Sequence, residues 1–352
     1  MQLLDFIQTR LVFAGFPYGE LRQACQEAVS QGHWQRVFLA RARTWRKLAV
    51  KAQSGGNMVS AAQFWRWAAC AYHAASFSFH LQPPARGWQA RISRFRTAAR
   101  RCYVNSLGLA AQDIAPVMLN CNSMNVRAYL RKPQMVFRGA VVLVNGLDSI
   151  SEVELHMFGS WMVERGLAVL AVDLPAGLRR NPGANGSIHK EVDAAGNAAA
   201  DWLAMHLGVD RIGAFGVSFG GNIVARLLAG GRYMAGVAVS PPAFLGGREL
   251  SLERLRRMLG WSFAVNDVQV EKTAASFSLS TLAAPAGKIL LCEMDSDELF
   301  GPEHSKTFQK WGGDRVQIVN FPGEHVGTST FHLWLPTACD WLKTALIEGG
   351  TA

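Results

Sequence analysis

A chain of 352 residues, 49% apolar and only 18% charged, can bury a large core, and this balance excludes an intrinsically disordered protein. The six cysteines form no CxxC pair, which gives no metal signature and suits reduced thiols in the cytoplasm. No apolar run approaches membrane-spanning length, and Asp5 interrupts any signal-peptide pattern. The net charge of +10 sits at one end: residues 1–115 hold fifteen Lys and Arg against four Asp and Glu, a net +11, leaving −1 for the remainder. That asymmetry fits an acidic partner, an anionic substrate or a solvated basic face. No nucleic-acid-binding motif accompanies it, and no nucleic-acid role is expected.

The N-terminal third reads as helical. Residues 20–29 form a short amphipathic stretch, and residues 33–52 carry Trp34, Val37, Phe38, Arg41, Trp45 and Leu48 at helical spacing. After Ser54-Gly-Gly-Asn57, residues 60–79 form a long helix with Phe64, Trp65, Trp67, Tyr72 and Phe77. Pro83-Pro84 stops it, and residues 88–107 form an arginine-dense helix. The aromatic residues are read as core. These segments define an all-helical domain over residues 1–112.

From residue 113 the texture changes to short apolar runs separated by helices. Residues 115–119 and 126–130 resemble an antiparallel pair around a polar turn. Further strands are expected at 140–144, 167–172, 212–217, 235–239, 289–292 and 316–319, with helices at 152–165, 190–207, 221–229, 302–311 and 331–346. This alternation predicts βαβ units in a mostly parallel, eight-stranded sheet covered on both faces, an α/β domain over residues 113–352.

Within that domain, Gly216-Val-Ser-Phe-Gly220 joins an apolar strand to a helix. This is the G-x-S-x-G spacing of a nucleophile elbow, which lifts a serine hydroxyl out of the sheet beside helix N-terminal N–H groups. Ser218 is therefore the candidate nucleophile. A serine needs a base oriented by a carboxylate, and on α/β-hydrolase folds the acid and then the histidine follow it in sequence. Of the carboxylates after the strand at 289–292, Asp297 precedes the turn Leu299-Phe-Gly-Pro302 and is preferred over Asp295. Among nine histidines only His325 lies in a Gly-rich loop between the last strand and the last helix, which makes it the candidate base. The backbone N–H groups of Phe219 and of Leu147, the latter in the loop Asn145-Gly-Leu-Asp148, are the candidate oxyanion donors. Asp148, Glu152, Glu154 and His156 are read as carboxylates at a helix start beside a solvent-facing histidine, not as a metal site. The motif at Asp173-Leu-Pro is read as a turn. Neither metal nor cofactor is expected.

Asn145-Gly-Leu-Asp-Ser149, Asp173-Leu-Pro, Gly216-Val-Ser-Phe-Gly-Gly221 and Gly323-Glu-His325 together resemble the α/β-hydrolases related to the fermentation-respiration switch protein and to 2,6-dihydroxypseudooxynicotine hydrolase, with fungal polyketide-shortening hydrolases nearby. Ser60-Ala61, Arg66, Ala68, Tyr72, Ala75 and Phe77 are similar to the helical domain of that family, and Tyr129-Leu-Arg-Lys-Pro133 to the strand pair that follows it. The resemblance implies an α/β-hydrolase core with an N-terminal helical cap, a substrate pocket between cap and core, and a homodimer. It implies cleavage of an ester, or of a C–C bond beside a ketone, by Ser218, His325 and Asp297. Some members use a further glutamate after the strand that follows the elbow, where Glu249 and Glu253 stand here. Two rivals remain: transfer, cyclisation or thioester cleavage of a chain delivered by an acidic acyl carrier protein, and a non-catalytic ligand-binding protein.

Overall fold

The computed structural model describes residues 3–81, 86–109, 113–121, 124–174, 178–179 and 187–347. Pro83-Pro84, part of the polar turn before residue 126, the end of the Asp173 turn and residue 112 lie outside them. The chain divides into two compact units, one of residues 1–115 and 152–157, the other of 116–151 and 158–352.

The first unit contains helices α1 (Leu3–Phe13), α2 (Tyr18–Gln31), α3 (Trp34–Ser54), α4 (Met58–Ser76), α5 (Ser78–Leu81) and α6 (Trp88–Ser106). The aromatic spacing of α3 and α4 places Trp34, Phe38, Trp65 and Tyr72 in the interior. Ala61, Ala68 and Ala75 of α4 are fully buried, and small side chains here let neighbouring helices approach closely. Helix α1 is an addition to the expected segments: Asp5 and Gln8-Thr-Arg10 divide its apolar residues into short groups, although Ile7 and Leu11 are buried four residues apart.

The second unit is built on a nine-stranded sheet. Its strands are β1 (Ile114–Cys121, starting in the first unit), β2 (Met124–Arg131), β3 (Gly139–Val144), β4 (Leu167–Val172), β5 (Leu178–Arg179), β6 (Ile212–Val217), β7 (Ala235–Val239), β8 (Lys288–Met294) and β9 (Val316–Phe321). The order is β1-β2-β4-β3-β6-β7-β8-β9, with β5 pairing β2. All eight expected strands are present, and the two-residue β5 is the addition. Strands β4 through β9 along this path run parallel, whereas β2 is antiparallel to β4. Every residue of β3, β4, β6 and β7 is buried, as expected for strands covered on both faces.

Helices α7 (Glu154–Val163), α8 (Ile188–Leu207), α9 (Phe219–Ala229), α13 (Pro302–Gly312) and α14 (Phe331–Ile347) match the expected segments. Three more lie between β7 and β8: α10 (Gly247–Ser251), α11 (Glu253–Phe263) and α12 (Asp267–Ala275). Among the described residues no helix is long and apolar enough to cross a membrane. All six cysteines are free and buried.

The reading of 152–156 as a solvated helix start is corrected. His156 is 5% exposed, with Nδ1 2.9 Å from the Tyr103 hydroxyl. Glu152 accepts from Arg100 Nε at 2.8 Å, and Glu154 from Arg10 Nη2 at 2.7 Å. These side chains are partners for arginines of the helical unit, which a local reading of the helix start could not supply.

Candidate active site

The elbow follows from close approach of three backbones. Between β6 and α9, Ser218 adopts φ 53° and ψ −126°, a strained conformation for a residue with a Cβ. A Cβ on Gly216 would lie 2.2 Å from the carbonyl oxygen of Gly220, and one on Gly220 would lie 2.6 Å from those of Val144 and Asn145. Both glycines are therefore required for the turn to form. Behind it, Asn222 Nδ2 donates to the carbonyls of Pro242 and Phe277, each at 2.9 Å. Phe219 packs on Phe277 (5.0 Å), which stacks on Phe263 (5.2 Å), so α11 and the residues after α12 back the elbow.

Three side chains distant in sequence meet here. His325 Nε2 lies 2.9 Å from Ser218 Oγ, and its Nδ1 lies 2.9 Å from Asp297 Oδ2. An Nδ1–H donated to the carboxylate leaves Nε2 free to accept the serine proton. The other Asp297 oxygen accepts from the N–H groups of Leu299 (2.9 Å) and Phe300 (3.1 Å). Burial alone would raise the Asp297 pKa. The charge of His325, its hydrogen bond and the two backbone donors outweigh burial, so the carboxyl is held below the usual range. Asp295 points elsewhere: its carboxylate accepts from Gly323 N–H at 3.0 Å and braces the histidine loop.

Phe219 is the first residue of α9, where N–H groups have no intrahelical acceptor. Leu147 lies in the loop after β3. That loop is held by buried Asn145, whose Nδ2 donates to the Gly146 and Ser149 carbonyls while Oδ1 accepts from Leu174 N–H. Gly146 sits against the elbow, since a Cβ on it would lie 3.3 Å from Ser218 Cβ. Asp173 accepts from Ser151 N–H and Oγ and fixes the next stretch. Asp148, in the same loop as Leu147, is half-buried. Glu253 is exposed and pairs with Arg257 at 3.2 Å on α11.

Glu249 is buried and accepts from Gly246 N–H at 3.1 Å. Its other oxygen faces His304 Nε2 at 3.6 Å, near Glu303, which makes the one three-residue group among the described residues with metal-ligand spacing. The ring argues against that use. Ala243 N–H donates to His304 Nδ1, so the neutral ring carries its proton on Nε2, the atom that would have to bind the ion. Arg248 also lies 3.8 Å from Glu303. Burial lowers the His304 pKa more than these carboxylates raise it. Phe300 stands edge-on to both His304 and His325, each at 5.2 Å.

One contributor had no motif in the sequence. Ser240, at the end of β7, has φ 45°, and Val326, next to His325, has φ 71°. A β-branched residue in the left-handed region is strained. Val326 N–H donates to Ser240 Oγ at 3.0 Å, and Trp334 Nε1 donates to the Gly327 carbonyl at 2.8 Å. These contacts hold the loop in the conformation that aims His325. Ser240→Ala is expected to slow labelling of Ser218 by a fluorophosphonate about tenfold or more. The accompanying loss of stability should be that of one buried hydrogen bond, about 1 kcal/mol. An unchanged labelling rate would show that the loop holds its shape without Ser240.

A mostly parallel sheet with a strand-to-helix serine elbow at its carboxyl edge defines the α/β-hydrolase class of enzyme. The family described as Esterase FrsA-like matches residues 27–244, well over half of the sequence, and the chain belongs to that family. Among solved structures, 2,6-dihydroxy-pseudo-oxynicotine hydrolase is similar at a TM-score of 0.82 and 18% identity, covering 98% of this chain and 97% of that one. The protein AbyA5 gives 0.59 at 17% identity over 87% and 92%. The α/β-hydrolase GrgF from Penicillium sp. sh18 gives 0.54 at 17% identity over 66% and 99%. At such identities these likenesses speak to the fold. No curated protein matches the sequence.

Proposed function

We propose that this esterase-family hydrolase works through Ser218, His325 and Asp297 on an acyl, thioester or ketone-adjacent C–C bond of a specialised metabolite. The observation that carries the reading is the chain of two 2.9 Å contacts from Ser218 Oγ through His325 to Asp297. His325 Nε2 takes the proton as Ser218 attacks the carbonyl. Ionised Asp297 holds the ring in the required tautomer and stabilises the imidazolium that forms. The N–H groups of Phe219 and Leu147 receive the oxyanion, and protonated His325 then gives its proton to the leaving group. Water, activated by the same imidazole, releases the acyl-enzyme. Glu249, Glu253 and Asp148 have no step in this scheme.

Fluorophosphonate labelling followed by peptide mapping tests the serine: modification at Ser218 supports the reading, and an unmodified Ser218 in folded protein overturns it and leaves the ligand-binding alternative. A panel of aryl esters, thioesters and β-diketones then ranks the bond cleaved. The carrier-protein alternative rests on the +11 charge of residues 1–115 and requires an association that weakens with salt. A homodimer remains part of the proposal, and sedimentation at low concentration checks it.

Asp297→Asn keeps the shape of the side chain, but with its oxygen held by the Leu299 and Phe300 N–H groups its Nδ2 donates to His325 Nδ1, so the tautomer with the proton on Nε2 is favoured. The expected loss in kcat is about 10⁴-fold with KM little changed. Because its pKa is depressed in the folded state, Asp297 contributes to stability above the ordinary carboxylate range, and this is lost as pH falls through the folded value. The Asn variant should therefore show a shallower acid dependence of unfolding than the parent.

A further inference from the structure

The helical unit has its own concave site. A crevice of about 500 Å³ lies among α3, α4 and α6, within the usual size of small-molecule sites. One face of α6 lines it with Arg94, Thr97 and Arg101, Arg46 of α3 joins them, and Trp65 and Tyr72 of α4 form an aromatic floor. Buried Trp65 and Tyr72 are one heptad apart on α4, and exposed Arg94 and Arg101 have the same spacing on α6, so each pair shares one helix face.

The charge in this crevice is unmet. Among the described residues, no carboxylate comes within ion-pair distance of Arg46, Arg94 or Arg101, and the polar contact of Arg46 is the Tyr72 hydroxyl at 3.2 Å. Four carboxylates of the unit serve elsewhere: Glu20 and Glu27 hold Arg41, Glu152 holds Arg100, and Glu154 holds Arg10. Three guanidinium groups around one concavity repel each other, and among the described residues no carboxylate offsets that repulsion. The same groups offer planar forks suited to phosphate oxygens, beside aromatic and hydroxyl-bearing side chains suited to a flat organic body.

We propose that this crevice binds an organic phosphate, with the phosphoryl oxygens on Arg46, Arg94 and Arg101 and an unsaturated body over Trp65. The site belongs to the helical unit alone, and the proposal stands whether or not Ser218 is the nucleophile.

Calorimetric titration of the full chain with phenyl phosphate tests it, with phenol as the neutral analogue. The expected result is saturable one-to-one binding of phenyl phosphate that weakens with added salt, and none with phenol. Arg94→Gln with Arg101→Gln should weaken binding at least about tenfold. Should that double variant fail to fold, Trp65→Leu replaces it and should weaken phenyl phosphate more than inorganic phosphate. Absence of saturable binding, binding indifferent to salt, or equal affinity in the folded variants overturns the proposal.

Discussion

Ser218→Ala is expected to lower kcat by about 10⁴- to 10⁶-fold while leaving substrate affinity and fold nearly intact. The reason is geometric. In the proposed scheme Ser218 Oγ, which His325 Nε2 faces at 2.9 Å, forms the covalent intermediate. The proposed oxyanion donors are backbone groups and survive the substitution, so the variant should still bind ester and retain a small residual rate. Alanine also relieves little strain, because a Cβ remains at φ 53°. Rates on aryl esters beside an unfolding curve measure both properties. Activity within about tenfold of the parent, in protein that has kept its fold, would remove Ser218 from the mechanism.

The second large effect is on stability. Glu154 is buried in the helical unit, where its carboxylate accepts from Arg10 Nη2 at 2.7 Å and lies 2.9 Å from His73 Nε2. Arg10 is 6% exposed and lies over the Phe77 ring at 4.7 Å. Glu154→Ala removes the buried carboxylate that both Arg10 and His73 face, and the expected cost is about 3–5 kcal/mol in chemical denaturation. Replacing both partners, as Glu154→Leu with Arg10→Met, should recover most of the loss, since the buried charge leaves together with its partner.

The same carboxylate gives a pH signature. Burial alone would raise its pKa, but the charges of His73 and Arg10 and their hydrogen bonds hold it at about 2, against an ordinary 4.5. A depressed folded-state pKa stabilises the protein above the unfolded value and ceases to do so as pH falls through the folded one. Stability from Glu154 should therefore be complete above about pH 5 and drain between about 4.5 and 2. Glu154→Gln should remove that part of the acid dependence. An unfolding free energy within about 1 kcal/mol of the parent for Glu154→Ala would show that the ion pair contributes little.

The site was legible in the sequence wherever local sterics dictate residue type. Gly216 and Gly220 are forced by carbonyl oxygens that a Cβ would overlap, so the elbow leaves a readable pattern. Asp297 and His325 were readable because chain order on this fold is constrained: each follows a strand that ends at the same sheet edge. Ser240 was not readable. It acts through Val326, 86 residues away, and a lone serine before two prolines carries no local signal. Helix α11 does carry a local signal, since buried Leu255, Met258, Leu259 and Phe263 stand at helical spacing, whereas α12 buries only Val270 and Ala274, too short a stripe to read as a helix.

By itself the sequence determined a helical N-terminal region, the mostly parallel sheet and the serine elbow, because periodicity, turn chemistry and backbone crowding act over a few residues. Only the tertiary structure decided the surroundings of the charged groups. Glu152, Glu154 and His156 read as a solvated helix start and are in fact enclosed with Arg100, Arg10 and Tyr103. The energy of a buried charge depends on partners far along the chain and on the exclusion of water, and neither is written in its neighbours.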